Sequence, residues 1–269
     1  MGWFSRWREG RILSRATLDP ALWRSTLERY ACTRALSDDE RRRLKEIVVL
    51  FLHDKRIHGA GGMAVREQVR IAIAAQACML VLNLGVGHFR GWVEIIVYPD
   101  EFVAQYEYVD EAGVAHQVEE PITGESWERG PVILSWADAD EAGSNGAPAY
   151  NVVIHEFAHK LDMRNGEANG FPPLHADMSR ARWSDAFTAA YRDFCDRVDS
   201  GMDVAIDEYA AESPAEFFAV ASETFFESPV ELRDAYPAVY GQLVEFYRQD
   251  PAARLHASGQ APVRASASA

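Results

Sequence analysis

Val153–Asp162 reads VIHEFAHKLD, and within it His155, Glu156 and His159 spell H-E-x-x-H. On an α-helix, positions i and i+4 share one face, so both imidazoles can bind a single zinc ion. Glu156 follows the first histidine directly and reaches a water on that ion without being a ligand. Zinc lowers the pKa of such a water, and a neighbouring carboxylate takes its proton as it attacks a carbonyl. Asn151–Ile154, NVVI, is mostly apolar and buries the start of the helix. Five residues also recur by chance, and a solvated helix with an (i, i+4) histidine pair carries the same letters. A catalytic zinc usually takes three protein ligands, so a third is expected downstream.

Working outward, the metzincin extension would need Gly at 162 and His at 165, where this chain has Asp162 and Asn165. Asp162 follows His159 by three residues and shares its helix face. It is a possible ligand, although a carboxylate there more commonly orients a ligand by hydrogen bonding. His175 lies in the loop-like FPPLHAD and reads as a surface residue. The stronger source is Tyr209–Pro229, YAAESPAEFFAVASETFFESP, whose Glu216 and Glu223 are seven residues apart on one face of an apolar helix. A buried carboxylate needs a partner, because an unpaired buried charge is costly. Glu216 also completes a capping box with Ser213, and Glu223 is open to pairing with an arginine or with a zinc-binding histidine. The residues alone put Glu216 ahead of Glu223 without deciding between them. Tyr209, seven before Glu216, is either a packing residue or a phenol that donates to a developing oxyanion.

The 269 residues allow a substantial core, and 48% hydrophobic with 25% charged residues is the balance of a soluble globular chain. A net charge of −14 argues against direct nucleic-acid binding. Cys32, Cys78 and Cys195 are widely spaced and odd in number, so neither a disulfide framework nor a thiolate zinc site is expected. MGWFSRWREGR at the start lacks a signal-peptide core. Ile71–Val86, IAIAAQACMLVLNLGV, falls short of the roughly 20 residues of a membrane span and carries Gln76 and Asn83. It reads as a buried core helix. No membrane span and a cytoplasmic location are the expectations.

The chain reads as α+β, with helices first, a small mixed sheet second and the helices of the site last. Residues 1–20 are expected to be a flexible N-terminal arm, and 21–250 a single domain. Within that domain, 21–90 is helical, 91–136 carries the sheet and 150–250 carries the zinc-site helices. Ser37 to Glu40 has capping-box spacing ahead of RRRLKEIVVLFLHDK, where Leu44, Ile47, Val48 and Phe51 recur at helical intervals. VEIIVYP, FVAQYEYV and PVILSW are β-branched and aromatic, and VILSW is expected to offer an edge for an extended peptide. Ala137–Ala149 reads as a loop, Arg182–Val198 as a helix, and Ser213-Pro214 as the start of another. Residues 251–269 read as a disordered tail.

HEFAHKLDMRNG, the Tyr209–Pro229 segment, VEIIVYPDEF and GPVILSW together resemble the Mlc titration factor A family of bacterial zinc peptidases, from about Asp38 to Asp250. The resemblance implies a zincin-like metallopeptidase domain of the gluzincin type, with one Zn2+ on His155, His159 and Glu216 and Glu156 as catalytic base. A more distant similarity, to the catalytic domain of anthrax lethal factor, gives Tyr209 the oxyanion-donor role. With Glu216 taken as the third ligand, Asp162 and Glu223 are expected to be carboxylates that support the ligands. Aminopeptidase-like cleavage of short peptides is implied, as is binding of a glucose-responsive transcriptional repressor. The alternative function is a regulatory binding protein that sequesters a transcription factor with little or no catalysis.

Overall fold

The computed structural model describes residues 3–109, 115–122, 124–126, 130–142 and 150–259. Three helices open it: α1 (Trp3–Leu13), α2 (Pro20–Arg29) and the single turn α3 (Ala31–Arg34). The first corrects the expectation of a flexible arm, because Ile12 and Leu13 pack against the core and fix the segment. α4 (Asp38–Asp54) starts on a complete capping box. The Ser37 hydroxyl accepts from Glu40 N–H at 3.3 Å, and Glu40 Oε2 accepts from Ser37 N–H at 2.9 Å. A short strand, β1 (Arg56–Gly59), precedes α5 (Glu67–Leu80). From Ile71 to Leu80 every residue of α5 is buried, which makes it a central core helix. Each of its large apolar side chains contributes roughly 1.5–3 kcal/mol by leaving water.

The sheet region holds β2 (Glu94–Tyr98), β3 (Phe102–Val109), β4 (Ala115–Ile122), β5 (Gly124–Ser126) and β6 (Val132–Ser135). One mixed sheet runs β1-β2-β6-β5, with the first three strands parallel and β5 antiparallel to β6. β3 and β4 pair separately as an antiparallel hairpin. Two expectations change here. β1 lies within the stretch expected to be helical, because four residues are too few to show a period of their own. VILS is also not an edge. β6 is flanked on both sides, and the two edge strands of this sheet among the described residues are β1 and β5, Gly124–Ser126.

Helices make up the remainder: α6 (Trp136–Glu141), α7 (Val152–Asp162), α8 (Arg180–Asp199), α9 (Pro214–Glu227), α10 (Pro229–Ala235), α11 (Pro237–Tyr247) and α12 (Pro251–Ser258). α6 replaces part of the expected loop, capped by Ser135, whose hydroxyl accepts from Asp138 N–H at 3.3 Å. The last four helices all begin on proline, where its fixed φ fits and its missing N–H costs nothing. α12 also corrects the expected tail. Arg254 reaches back to Glu40 of α4 at 2.7 Å with both side chains largely buried, while 260–269 lie outside the described residues. Among the described residues no helix is long and apolar enough to cross a membrane.

Every residue of α7 is buried. Phe157 meets Phe51, Phe89 and Trp92 with ring centroids 5.7, 5.1 and 5.6 Å away. Lys160 at the far end donates to the Gly130 carbonyl at 3.0 Å, tying the helix to the approach to β6. α9 packs beside α7, its Phe217 and Phe218 wedged among Phe187, Trp183 and Phe246. Each of the two helices that build the site is thus anchored by its own aromatic layer.

Candidate metal centre

α7 begins at Asn151, whose side-chain oxygen accepts from Ile154 N–H at 3.0 Å. One turn in, His155 and His159 project from the same face, their Nε2 atoms 3.2 Å apart. α9 begins at Ser213, whose hydroxyl accepts from Glu216 N–H at 3.1 Å. The Glu216 carboxylate turns to the histidines instead of completing the capping box. Its Oε2 lies 3.0 Å from His155 Nε2 and 3.2 Å from His159 Nε2. Among the described residues these three form the one group able to hold a metal ion.

The donor set fits a divalent ion. Bonds of about 2.0–2.2 Å around a tetrahedral centre place ligand atoms roughly 3.3–3.5 Å apart, close to the spacings seen. The imidazoles also present the correct nitrogens. His155 Nδ1–H donates to Glu223 Oε1 at 2.7 Å, which leaves Nε2 with its lone pair facing Glu216 and His159. Glu156, Glu216 and Glu223 bring three carboxylates to two imidazoles, a negative charge that a dication offsets in large part. Burial pushes Glu216 up, but hydrogen bonds and charge from both imidazoles outweigh it and hold its carboxyl well below the usual range. Burial dominates at Glu156 and raises it, against the opposing charge of His155 and His159. A raised carboxylate is the better proton acceptor for a water attacking beside it.

The two glutamates left open by spacing have different places. Glu216 belongs to the triangle of converging donors, whereas Glu223, 2% exposed, grips the other nitrogen of the His155 ring. Tyr209 stands beside His155 with ring centroids 6.0 Å apart and is 48% exposed, so it flanks the open side of the site. Asp162 departs from expectation. Its Oδ2 accepts from Asn169 and Gly170 N–H, both at 2.7 Å, and not from a ligand histidine. It braces a loop: Gly170 (φ +76°) lies so close to Pro214 that a Cβ would sit 2.4 Å from the Pro214 carbonyl oxygen. Trp183 of α8 donates to the Gly170 carbonyl at 3.1 Å. Asp162 thereby links the end of α7 to the turn that delivers Glu216. His175 donates to the Phe246 carbonyl at 2.8 Å, away from the ligand group.

The residues that sequence reasoning missed surround Glu156 and Glu223. At Gly124 on the edge strand, a Cβ would lie 2.5 Å from Glu156 Oε1 and 2.7 Å from Val152 Cγ2. The missing side chain lets β5 lie directly on the carboxylate. Gly124→Ala is expected to retain bound zinc while kcat falls about 10- to 100-fold, because the Glu156 carboxyl must move. Zinc analysis beside steady-state kinetics checks this, and an unchanged kcat contradicts it. Nothing in the sequence marks the role of this glycine, since Pro121, Thr123 and Ser126 around it read as an ordinary turn. Asn151 could have been read as an N-cap from its place before VVI.

Deeper still, Glu227 Oε1 accepts from Asn151 Nδ2–H at 2.7 Å. Burial pushes Glu227 up to about 7, from an ordinary 4.5. Between those values the folded chain keeps a proton that the unfolded chain releases, so stability falls as pH rises through that window, by roughly 3 kcal/mol. Glu227→Gln is expected to remove that slope. Its melting temperature should gain on the parent's between pH 5 and pH 8, and parallel curves for the two proteins would contradict the assignment.

A metal triad on two crossing helices, with an adjacent buried carboxylate, is the equipment of a metallopeptidase. The family model for the glucose-regulated metallo-peptidase M90 matches residues 4–248, which is nearly all of this fold. The chain belongs to that family. Its relatives include Mlc titration factor A of Yersinia enterocolitica, 38% identical over 238 residues, 87% of this chain and 88% of the relative. Mlc titration factor A of Cronobacter sakazakii is 37% identical over 242 residues, 89% and 90% of the two chains. The Klebsiella pneumoniae protein of the same name is 37% identical over 226 residues, 83% and 84%. As an M90 metallopeptidase with a mixed four-stranded sheet among helices, the chain has the α+β, zincin-like domain that its sequence led one to expect.

Proposed function

We propose that this chain is a zinc-dependent peptidase of the gluzincin type, with one zinc ion on His155, His159 and Glu216. The observation that carries the reading is the convergence of these three side chains at 3.0–3.2 Å with buried Glu156 beside them. Zinc held there supplies Lewis acidity and lowers the pKa of a coordinated water. Glu156 accepts the proton of the attacking water and returns it to the leaving amine. The Tyr209 phenol, on the open side, donates a hydrogen bond to the oxygen that gains charge as the carbonyl is attacked. Glu223 holds the His155 ring in the tautomer that leaves Nε2 free. The substrate is a short peptide, lying extended along the Gly124–Ser126 edge and cleaved from its free amino end.

Hydrolysis of matched peptides with free and blocked amino termini, by the zinc-loaded chain, tests this. Preference for the free terminus is the expected result, and equal cleavage of blocked peptides would identify an endopeptidase. No hydrolysis of either would remove the enzymatic reading. The relatives' name favours a second role, since it speaks of Mlc. We extend to this chain the binding of a glucose-responsive transcriptional repressor, in the cytoplasm and independent of catalysis. Glu156→Gln is expected to capture that repressor as well as the parent does. Capture by neither protein counts against this role.

A further inference from the structure

Asn151 has no exposed surface, and besides its backbone carbonyl, which accepts from His155 N–H at 2.9 Å, it bonds in four directions. Its backbone N–H donates to Glu223 Oε2 at 2.6 Å, and the other oxygen of that carboxylate takes His155 Nδ1–H. Its side-chain oxygen caps α7, as above. Both side-chain N–H groups are used as well, one to Glu227 Oε1 at 2.7 Å and one to Gln76 Oε1 at 2.9 Å. Gln76, wholly buried on α5, is itself fixed by donating to the Ala139 and Ala72 carbonyls at 3.2 and 3.3 Å.

Capping alone does not account for this residue. Ser or Asp caps a helix as well as Asn does, and neither needs Gln76 or Glu227. A fully satisfied polar cluster in a core rigidifies its members and is costly if any bond is lost. Here the cluster has a definite output. Asn151 N–H fixes the Glu223 carboxylate, and Glu223 fixes the tautomer and tilt of His155. We infer that Asn151 is a positioning residue for His155, acting through Glu223, with Gln76 and Glu227 holding Asn151 in place. The inference rests on the proposed role of His155 as a metal ligand.

Asn151→Ser separates this role from capping, because it keeps a capping oxygen and the backbone N–H but removes both bonds from Nδ2. The full chain and the variant are loaded with zinc and compared by chelator competition. The His155 Nδ1–H proton resonance and the melting temperature are recorded alongside. Loss of an outer partner of a ligand costs about 10- to 100-fold in metal affinity. For Asn151→Ser about a 10-fold weakening is expected, with a displaced His155 resonance. A zinc affinity within twofold of the parent overturns the inference, whatever the melting temperature does. Should that variant not fold, Gln76→Met, which keeps the Asn151–Glu227 bond, is read by the same two criteria. A parent chain that binds no zinc would refute the metal-site reading itself, a result distinct from equal binding by parent and variant.

Discussion

Glu156→Gln is expected to bind zinc as the parent chain does and to lose hydrolysis. Glutamine keeps the shape of the side chain against Gly124 and Val152 but cannot take a proton. The three converging donors, His155, His159 and Glu216, are untouched by the change. General base catalysis contributes about 10²–10⁴-fold, so kcat should fall within that range. Burial, which raises Glu156 above the ordinary carboxylate range, makes the lost basicity matter more. Zinc stoichiometry near one per chain with the expected drop in kcat separates a base from a ligand. Full activity in this variant would sink the mechanism, and loss of the metal would make Glu156 a ligand.

Removing Glu216 should have the larger effect on the metal. Glu216→Ala deletes one of three donors and leaves two imidazoles, whereas Glu223→Ala leaves all three donors and removes the hydrogen bond that orients His155. The second loss costs roughly 10–100-fold in metal affinity; the first should exceed it. From the sequence alone Glu223 was as open to an arginine partner as to a zinc-binding histidine. Its 2.7 Å bond to His155 Nδ1 gives it a measurable share. Glu223→Ala should also lose stability, since it strands the buried N–H groups of Asn151 and His155 at about 1–3 kcal/mol each. Chelator competition on both variants gives the order, and equal affinities would show that the two carboxylates had been assigned wrongly.

The difficulty of separating Glu216 from Glu223 has a physical origin. Seven residues on a helix return to the same face, so spacing places both carboxylates toward α7 and says no more. In the folded chain they grip opposite nitrogens of one imidazole. Which of them meets Nε2 depends on how α9 crosses α7, a packing of segments distant in sequence. The long helices were legible because their apolar residues recur at helical spacing, as with Leu44 to Phe51 and the all-apolar face of Pro214–Glu227. β1 and α6 were not. RIHG is too short for a pattern, and WADADE looks like a polar loop until Ser135 caps it. Asp162 was placed on the correct face but given the wrong partner, because the Asn169–Gly170 turn that takes its carboxylate cannot be foreseen from helix spacing. Gly124 carries no signal of its contact with Glu156. Its meaning lies in the 2.5 Å that a Cβ would leave to Glu156, a contact between segments some thirty residues apart.

The most direct test is an anomalous difference map collected at the zinc edge from crystals of the zinc-loaded chain. One peak per chain, bonded by Nε2 of His155, Nε2 of His159 and a carboxylate oxygen of Glu216, is the predicted result. No peak at that triangle, or a peak held by Glu223 in place of Glu216, would contradict the assignment of the metal centre.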